Sequence, residues 1–454
     1  VLTCDCSEQV GASNIRVGQL NLEGRGRASN TLPEEDSVPD LHPFLALRFS
    51  RHAGSLSELL APPYDVITAV DAEQLRARHR ANAVRLVLPE GDVPRMYEQA
   101  AMLLEQWREE GLIELDPVPS VTVYRQEFEG PDGPVSRHGL FAALRLSPLD
   151  QGEVLPHERT HSGPKRDRLA LTMATRTQLS PVFLTARDES ARLMDSLLAA
   201  TMAEPESHAM TPDGVSHTTW RIDDPDLVSS LCEAAGAGSL LIADGHHRYE
   251  TALEAQRQLG EDASGAGQVL ACVVSGQDPG LRIQPTHRTV VGAPVQGTAD
   301  DWAAFLTRSF ELRPMADSDP LAAARHAQDH DVIVLFSNGK AWELRPTAAA
   351  AAAGSLDDAD ASIPSVVLDR LLIEGILGRD ADAAAHDGRL AYFRDAEEAV
   401  RAAGEDGAAF LLPAVEQEAV WRVTSLGRRL PPKSTYYEPK IPSGLLFRPL
   451  DAGS

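Results

Sequence analysis

Cysteine is scarce in this 454-residue chain: Cys4, Cys6, Cys232 and Cys272 are all there is. A structural zinc site needs about four well-placed ligands, and this spacing offers no such set. Cys232 and Cys272 lie in apolar surroundings, where a thiol packs as a small hydrophobe, and such usage suits a reducing compartment. No apolar run approaches the roughly 20 residues that span a bilayer. The N-terminal residues lack the charged-then-apolar pattern of a secretory signal. The expectation is a cytoplasmic protein with no membrane partner. Positive charge is also short: 42 Lys and Arg stand against 67 Asp and Glu, a net charge of −25. Nucleic acid held by a general electrostatic footprint is thereby excluded, because its phosphates would be repelled. Any anion must be held where the charge reverses locally. Three familiar templates are missing too: the Gly-x4-Gly-Lys-Ser/Thr loop, the Gly-x-Gly-x-x-Gly turn opening a helix after a strand, and the Gly-x-Ser-x-Gly elbow. A phosphotransferase built from this chain is therefore not of the standard P-loop or protein-kinase kind.

What is present suits an ordinary globular protein, with 43% hydrophobic and 24% charged residues. The length implies two or three lobes. Residues 1–40 show no sustained periodicity and read as a disordered extension. A main α/β region is expected over 41–345, an Ala-rich linker or helix over 346–365, and a C-terminal segment over 366–454 that closes onto the site. Within the main region, strands are expected at 41–48, 83–88, 121–124, 140–145, 181–184, 239–244 and 269–274. Helices are expected at 71–80, 94–110, from Asp167, and from about Glu250 to Leu259. Strand–loop–helix–strand order points to a mixed α/β fold.

Four polar segments could carry chemistry. In Ala243-Asp244-Gly245-His246-His247-Arg248-Tyr249-Glu250, an apolar strand runs straight into polar residues. Strand ends and helix starts face the ligand crevice in open α/β sheets, and free helix N–H groups attract anions. In 156–168, Arg159, Lys165, Arg166 and Arg168 outnumber Glu158 and Asp167, a local charge reversal that suits phosphate or carboxylate. His157 and Glu158 there are candidates for general acid/base work. In 428–444, four prolines hold Lys433, Ser434, Thr435 and Lys440 in an irregular loop. The fourth segment, 278–288, carries His287 and Arg288. Tyr64 and Asp65 follow two prolines in a fixed loop and could serve a metal or a hydroxyl.

These segments resemble the bacterial and archaeal family catalogued as domain of unknown function 1015. The resemblance rests on Ala61-Pro-Pro-Tyr-Asp-Val-Ile67, Pro156-His-Glu-x-Thr160 with Lys165-x-Asp-Arg168, Ile242-Ala-Asp-Gly-His-His-Arg-Tyr-Glu-Thr-Ala252, Pro285-Thr-His-Arg288, and Pro432-Lys-Ser-Thr-Tyr-x-x-Pro-Lys440 with Pro442-Ser-Gly444. It spans about 41–450 and departs from the family pattern at Glu438 and in the N-terminal extension. The Asp-Gly-His-His-Arg segment is similar to the signature loop of the ParB/sulfiredoxin-like superfamily. That likeness implies a ParB/sulfiredoxin-like core with further α/β lobes, and an activity similar to that of pyrophosphate-dependent kinases of free serine. It implies that Asp244, Gly245, His246, His247 and Arg248 lie on phosphate, with Arg168, Lys165, His287, Arg288, Lys433, Ser434 and Lys440 as further phosphate contacts. Glu158 or Asp65 would then serve the serine hydroxyl or a magnesium ion, with His157 and His247 beside them.

The reading that follows is a small-molecule phosphotransferase, with L-serine as acceptor, pyrophosphate, ADP or ATP as donor, and Mg²⁺ as cofactor. A phosphoserine phosphatase uses nearly the same parts. A non-catalytic nucleotide-binding regulatory module and a His/Glu hydrolase with no phosphate are the alternatives from other classes.

Overall fold

The structure is a computed structural model. It describes residues 38–452, apart from 131–132, 161, 261–264, 292–301, 303–305, 308, 317, 374–384 and 386–387. The extension expected over residues 1–40 lies almost wholly outside the described residues.

The architecture is mixed α/β, and its centre is a nine-stranded sheet. Five strands carry the argument: β1 (Val121–Gly130), β2 (Gly133–Arg145), β3 (Val182–Ala186), β4 (Leu240–Asp244) and β5 (Gln268–Ser275). β1 and β2 form a hairpin closed at Gly130 and Gly133, and β2 pairs antiparallel with β5. β5 runs parallel to β3, and β3 antiparallel to β4. The period-2 alternation of a strand divides their side chains between two cores. Val121, Val123, Leu140, Ala142, Val269, Ala271 and Val273 face one layer, with Tyr249 and Ala252 of a covering helix. Tyr124, Phe141, Ala143, Leu270, Cys272 and Val274 face the other. There the cover comes from the C-terminal segment: Tyr437, on the short strand Tyr436–Glu438, completes the layer with Ile441, Leu445 and Leu446. The C-terminal segment is therefore part of the central core.

Two helices flank the end of β4. α1 (Ser162–Thr175) and α2 (His246–Leu259) both start earlier than periodicity suggests. The polar starts 162–166 and 246–249 hide the helical repeat, since an apolar pattern begins only where a helix turns toward a core. The stretch 83–88 is a larger correction. Val84–Val87 is one helical turn, not a strand. The Asn82 side chain accepts from the Val84 N–H at 3.0 Å and donates to the carbonyls of Glu58 and Leu60. Val84, Leu86 and Val87 are all buried, so the run reads as apolar whatever its backbone does.

A second, six-stranded antiparallel sheet is built from 287–290, 310–314, 333–337, 340–346, 390–393 and 408–411. It draws strands from both sides of the Ala-rich stretch, which itself contains a helix at Ala348–Ala353. No helix among the described residues is long and apolar enough to cross a membrane.

Leu446 is 2% exposed in the layer under the central sheet. Leu446→Ala is expected to destabilise the protein by about 2–5 kcal/mol, read as a lowered urea midpoint. A loss within about 0.5 kcal/mol, the range of ordinary surface substitutions, would mean that this segment is not core.

Candidate functional site

β4 ends at Asp244, Gly245 turns the chain at φ +95°, and α2 begins at His246. A Cβ on Gly245 would come within 2.9 Å of the Arg248 guanidinium, so only glycine leaves that side chain its place. Arg248 reaches back one turn to the Asp244 carboxylate and donates also to the Pro181 carbonyl. The other Asp244 oxygen accepts from Lys440 Nζ at 2.5 Å. Burial opposes the charge on Asp244, but Lys440 and Arg248 outweigh it and hold the carboxyl well below the usual carboxylate range. Lys440 also lies over the Tyr436 ring at 4.5 Å. Asp65 stands exposed on the rim, near enough to Arg248 to favour its charged form.

Glu158 faces the same cluster. Desolvation raises its pKa, against the pull of Lys433, Lys440 and the Ser434 amide. A half-buried carboxylate that resists ionisation beside two ammonium groups has the surroundings expected of a candidate acid/base group. Lys433 is exposed, with its backbone at φ +56°. A non-glycine residue there costs roughly 1–2 kcal/mol, and it places the ammonium beside Glu158. The helix N-terminus completes the cluster: α2 starts after Gly245 without a side-chain cap, and the positive end of a helix favours an anion.

The other expected residues make the following contacts. His157 is 1% exposed; its Nδ1 donates to the Ile242 carbonyl at 2.6 Å, and its Nε2 accepts from the Thr435 hydroxyl at 2.5 Å. Both ring nitrogens are therefore engaged, and burial lowers its pKa to about 4. His246, expected on phosphate, turns its Nε2 to the amides of His157 and Glu158 at 3.2 and 3.4 Å. It is a neutral acceptor that fixes the backbone carrying Glu158. Arg168 is taken up by Asp167, the Val87 carbonyl and the Tyr64 ring, 4.1 Å away. Lys165 pairs with Glu250 at 2.7 Å and ties α1 to α2. The Ser434 hydroxyl donates to the Pro431 carbonyl. His287 accepts from the Leu412 amide. Arg288, fully buried, donates to the carbonyls of Thr286 and Pro432 and lies 3.3 Å from Asp369. Arg288 thus holds the C-terminal loop in place from behind, through Pro432, while His287 is tied within the second sheet. His247 sits half-buried on the first turn of α2.

Arg429 and Tyr436 are absent from the sequence-based selection. Arg429 donates to the Glu158 carbonyl at 3.3 Å. A signal existed: the chain has only four lysines, and Lys165, Lys433 and Lys440 all fall in the selected segments, which raises the interest of every cation near them. Among the described residues no group of three or more His, Cys, Asp or Glu could hold a metal.

The buried imidazoles set a pH dependence. Burial holds His157, His217 and His287 near 4 and His246 well below its ordinary value, against about 6.5 in the unfolded chain. Below that value the unfolded state binds protons the native state refuses. Stability present above pH 6.5 should therefore fall between pH 6.5 and 4, by up to about 1.4 kcal/mol per pH unit for each group. Urea midpoints at pH 7.5, 6 and 5 measure this, and His217→Gln should flatten the slope. A pH-independent midpoint would contradict neutral burial.

The solved structures similar to this chain include a free serine kinase in complex with AMP (14% identity, covering 68% of this chain and 92% of that one, TM-score 0.35). A conserved hypothetical protein from Pyrococcus furiosus is 16% identical, with 69% and 97% covered and a TM-score of 0.35. SbnI with a C-terminal truncation from Staphylococcus aureus is 12% identical, with 67% and 87% covered and a TM-score of 0.33. No curated protein matches the sequence at a significant level. The profile of the family described as protein of unknown function DUF1015 matches residues 41–369, and with that match over most of its length the chain belongs to this family.

Proposed function

We propose that the protein is a phosphotransferase that phosphorylates the hydroxyl of a small metabolite. The observation that carries this reading is the Glu158 carboxylate, its pKa raised by desolvation, beside Lys433 and Lys440. Phosphoryl transfer demands positioning and charge neutralisation more than covalent chemistry. In this reading Lys433, Lys440, Arg248 and the α2 N-terminus bind phosphate oxygens. Glu158 accepts the proton of the attacking hydroxyl, and a raised pKa makes it a better base than an ordinary carboxylate. Asp244 keeps Lys440 and Arg248 aimed at one place.

L-serine is the acceptor we favour, on the motif resemblance. Pyrophosphate, ADP or ATP is the donor. A magnesium ion fits as a companion of the phosphate. Asp244 has both oxygens engaged by Lys440 and Arg248, which leaves Glu158 and Asp65 as carboxylates able to face a metal. Mg²⁺ bound by one or two carboxylates and substrate phosphates suits that donor set, and when bound it would neutralise phosphate oxygens. A phosphoserine phosphatase would use the same groups and is separated by assay.

The test is incubation with L-serine, Mg²⁺ and each donor in turn, with phosphoserine as the readout. Phosphoserine from one donor is the expected result. Release of phosphate from phosphoserine, with no forward transfer, would replace kinase by phosphatase. Glu158→Gln should lower turnover by about 10²–10⁴-fold without loss of folding. Because Glu158 must be ionised to act, wild-type activity should fall on acidification at a pH above the ordinary carboxylate range. An unchanged rate in Glu158→Gln would remove it from the chemistry.

A further inference from the structure

Beneath the central sheet the chain leaves the short strand Tyr436–Glu438 and runs irregularly through Pro439 and Lys440. Proline brings no N–H, and buried carbonyls left unpaired are costly. Two residues facing each other across the β1–β2 hairpin meet all three carbonyls. Gln126 and Arg137 are register partners, 0% and 1% exposed. Arg137 donates to the Glu438 carbonyl at 3.2 Å, to the Pro439 carbonyl and to Gln126 Oε1. Gln126 Nε2 donates to the Lys440 carbonyl at 3.0 Å. The Arg137 guanidinium also lies over the Phe183 ring at 4.9 Å.

Among the described residues Arg137 pairs with no carboxylate. A buried cation in that setting carries a desolvation cost that an apolar residue of similar shape avoids. Packing therefore does not account for it. What an apolar residue could not do is pin consecutive carbonyls. The fork of guanidinium donors spans two of them and orients Gln126 onto the third. The residue so pinned is Lys440, whose ammonium meets Asp244 at 2.5 Å.

We propose that Arg137, with Gln126, is a positioning residue for Lys440: it fixes the backbone of 438–440 so that the Lys440 ammonium stands at the anion site. The inference deepens the phosphotransferase reading, because it takes Lys440 as a phosphate contact. Arg137 itself touches neither Asp244 nor Glu158 and acts through the loop alone.

The experiment compares Arg137→Met, Gln126→Leu and Lys440→Met, and the double variant Arg137→Met/Lys440→Met, in the full chain. The first readout needs no ligand. It is the rate at which an amine-acylating reagent modifies Lys440, followed by peptide mass spectrometry, with Lys340 as internal reference. Loss of the clamp should raise that rate roughly tenfold, a hydrogen bond to a charged group being worth at least that much, with Lys340 unchanged. The second readout is the affinity for inorganic pyrophosphate. Arg137→Met should weaken it by roughly tenfold alone, and should add nothing in the Lys440→Met background, as expected for groups acting as one unit. A merely structural role would weaken binding in both backgrounds. Unchanged Lys440 labelling in a folded variant, or additive losses of affinity, would overturn the proposal. Should Arg137→Met fail to fold, Gln126→Leu removes one carbonyl contact and carries the same labelling test. If the wild type binds no pyrophosphate, the phosphate reading fails for that ligand, while the labelling result still decides the positioning.

Discussion

The Asp244 carboxylate, held between Lys440 and Arg248, joins the end of a central strand, the helix after it and the C-terminal segment. Asp244 ends a central strand, Arg248 lies on the first turn of the helix that follows, and Lys440 comes from a segment about 200 residues later. Charges this far from bulk water persist only when paired, so each partner constrains the other two. The consequence is a cluster whose cations are already aimed before any ligand arrives. Pre-aimed charge is what an enzyme handling phosphate needs, because it costs no reorganisation at the moment of reaction.

Around that triad the neutral groups are as instructive as the charged ones. His157 and His246 would look like catalytic imidazoles in any list of polar residues. Both are buried, uncharged and engaged in hydrogen bonds that hold the 157–158 backbone against β4 and the C-terminal loop. Arg288 braces the same loop from the second sheet. Glu158 is what they leave facing the cations. Its raised pKa and the supporting shell are two aspects of one arrangement: the walls that exclude water also lock the residue in place.

Much of the fold was legible from pattern. The apolar runs at 181–184, 239–244 and 269–274 read as strands and are strands, because β-branched and aliphatic runs of that length bounded by turn residues suit little else. The pattern failed where tertiary contacts choose the backbone. Val84–Val87 coils where the Asn82 side chain takes the Val84 amide, and α1 and α2 begin within polar sequence that carries no apolar repeat. Arg137 was invisible for the opposite reason: a lone arginine in a strand looks like a solvated edge until a loop from 300 residues away covers it.

The sequence alone determined the family motifs, the local reversals of charge in an acidic chain, and hence which segments could hold an anion. Those properties are carried by residue type and spacing, and they survive without coordinates. Only the tertiary structure decided which members of those segments face one another. Burial and hydrogen-bond partners divide the polar side chains of these segments into different roles: Lys440 meets Asp244 while Lys165 meets Glu250, and Glu158 is left facing cations while His157 has both nitrogens engaged. Those partners come from residues distant in the chain, and no local pattern records them.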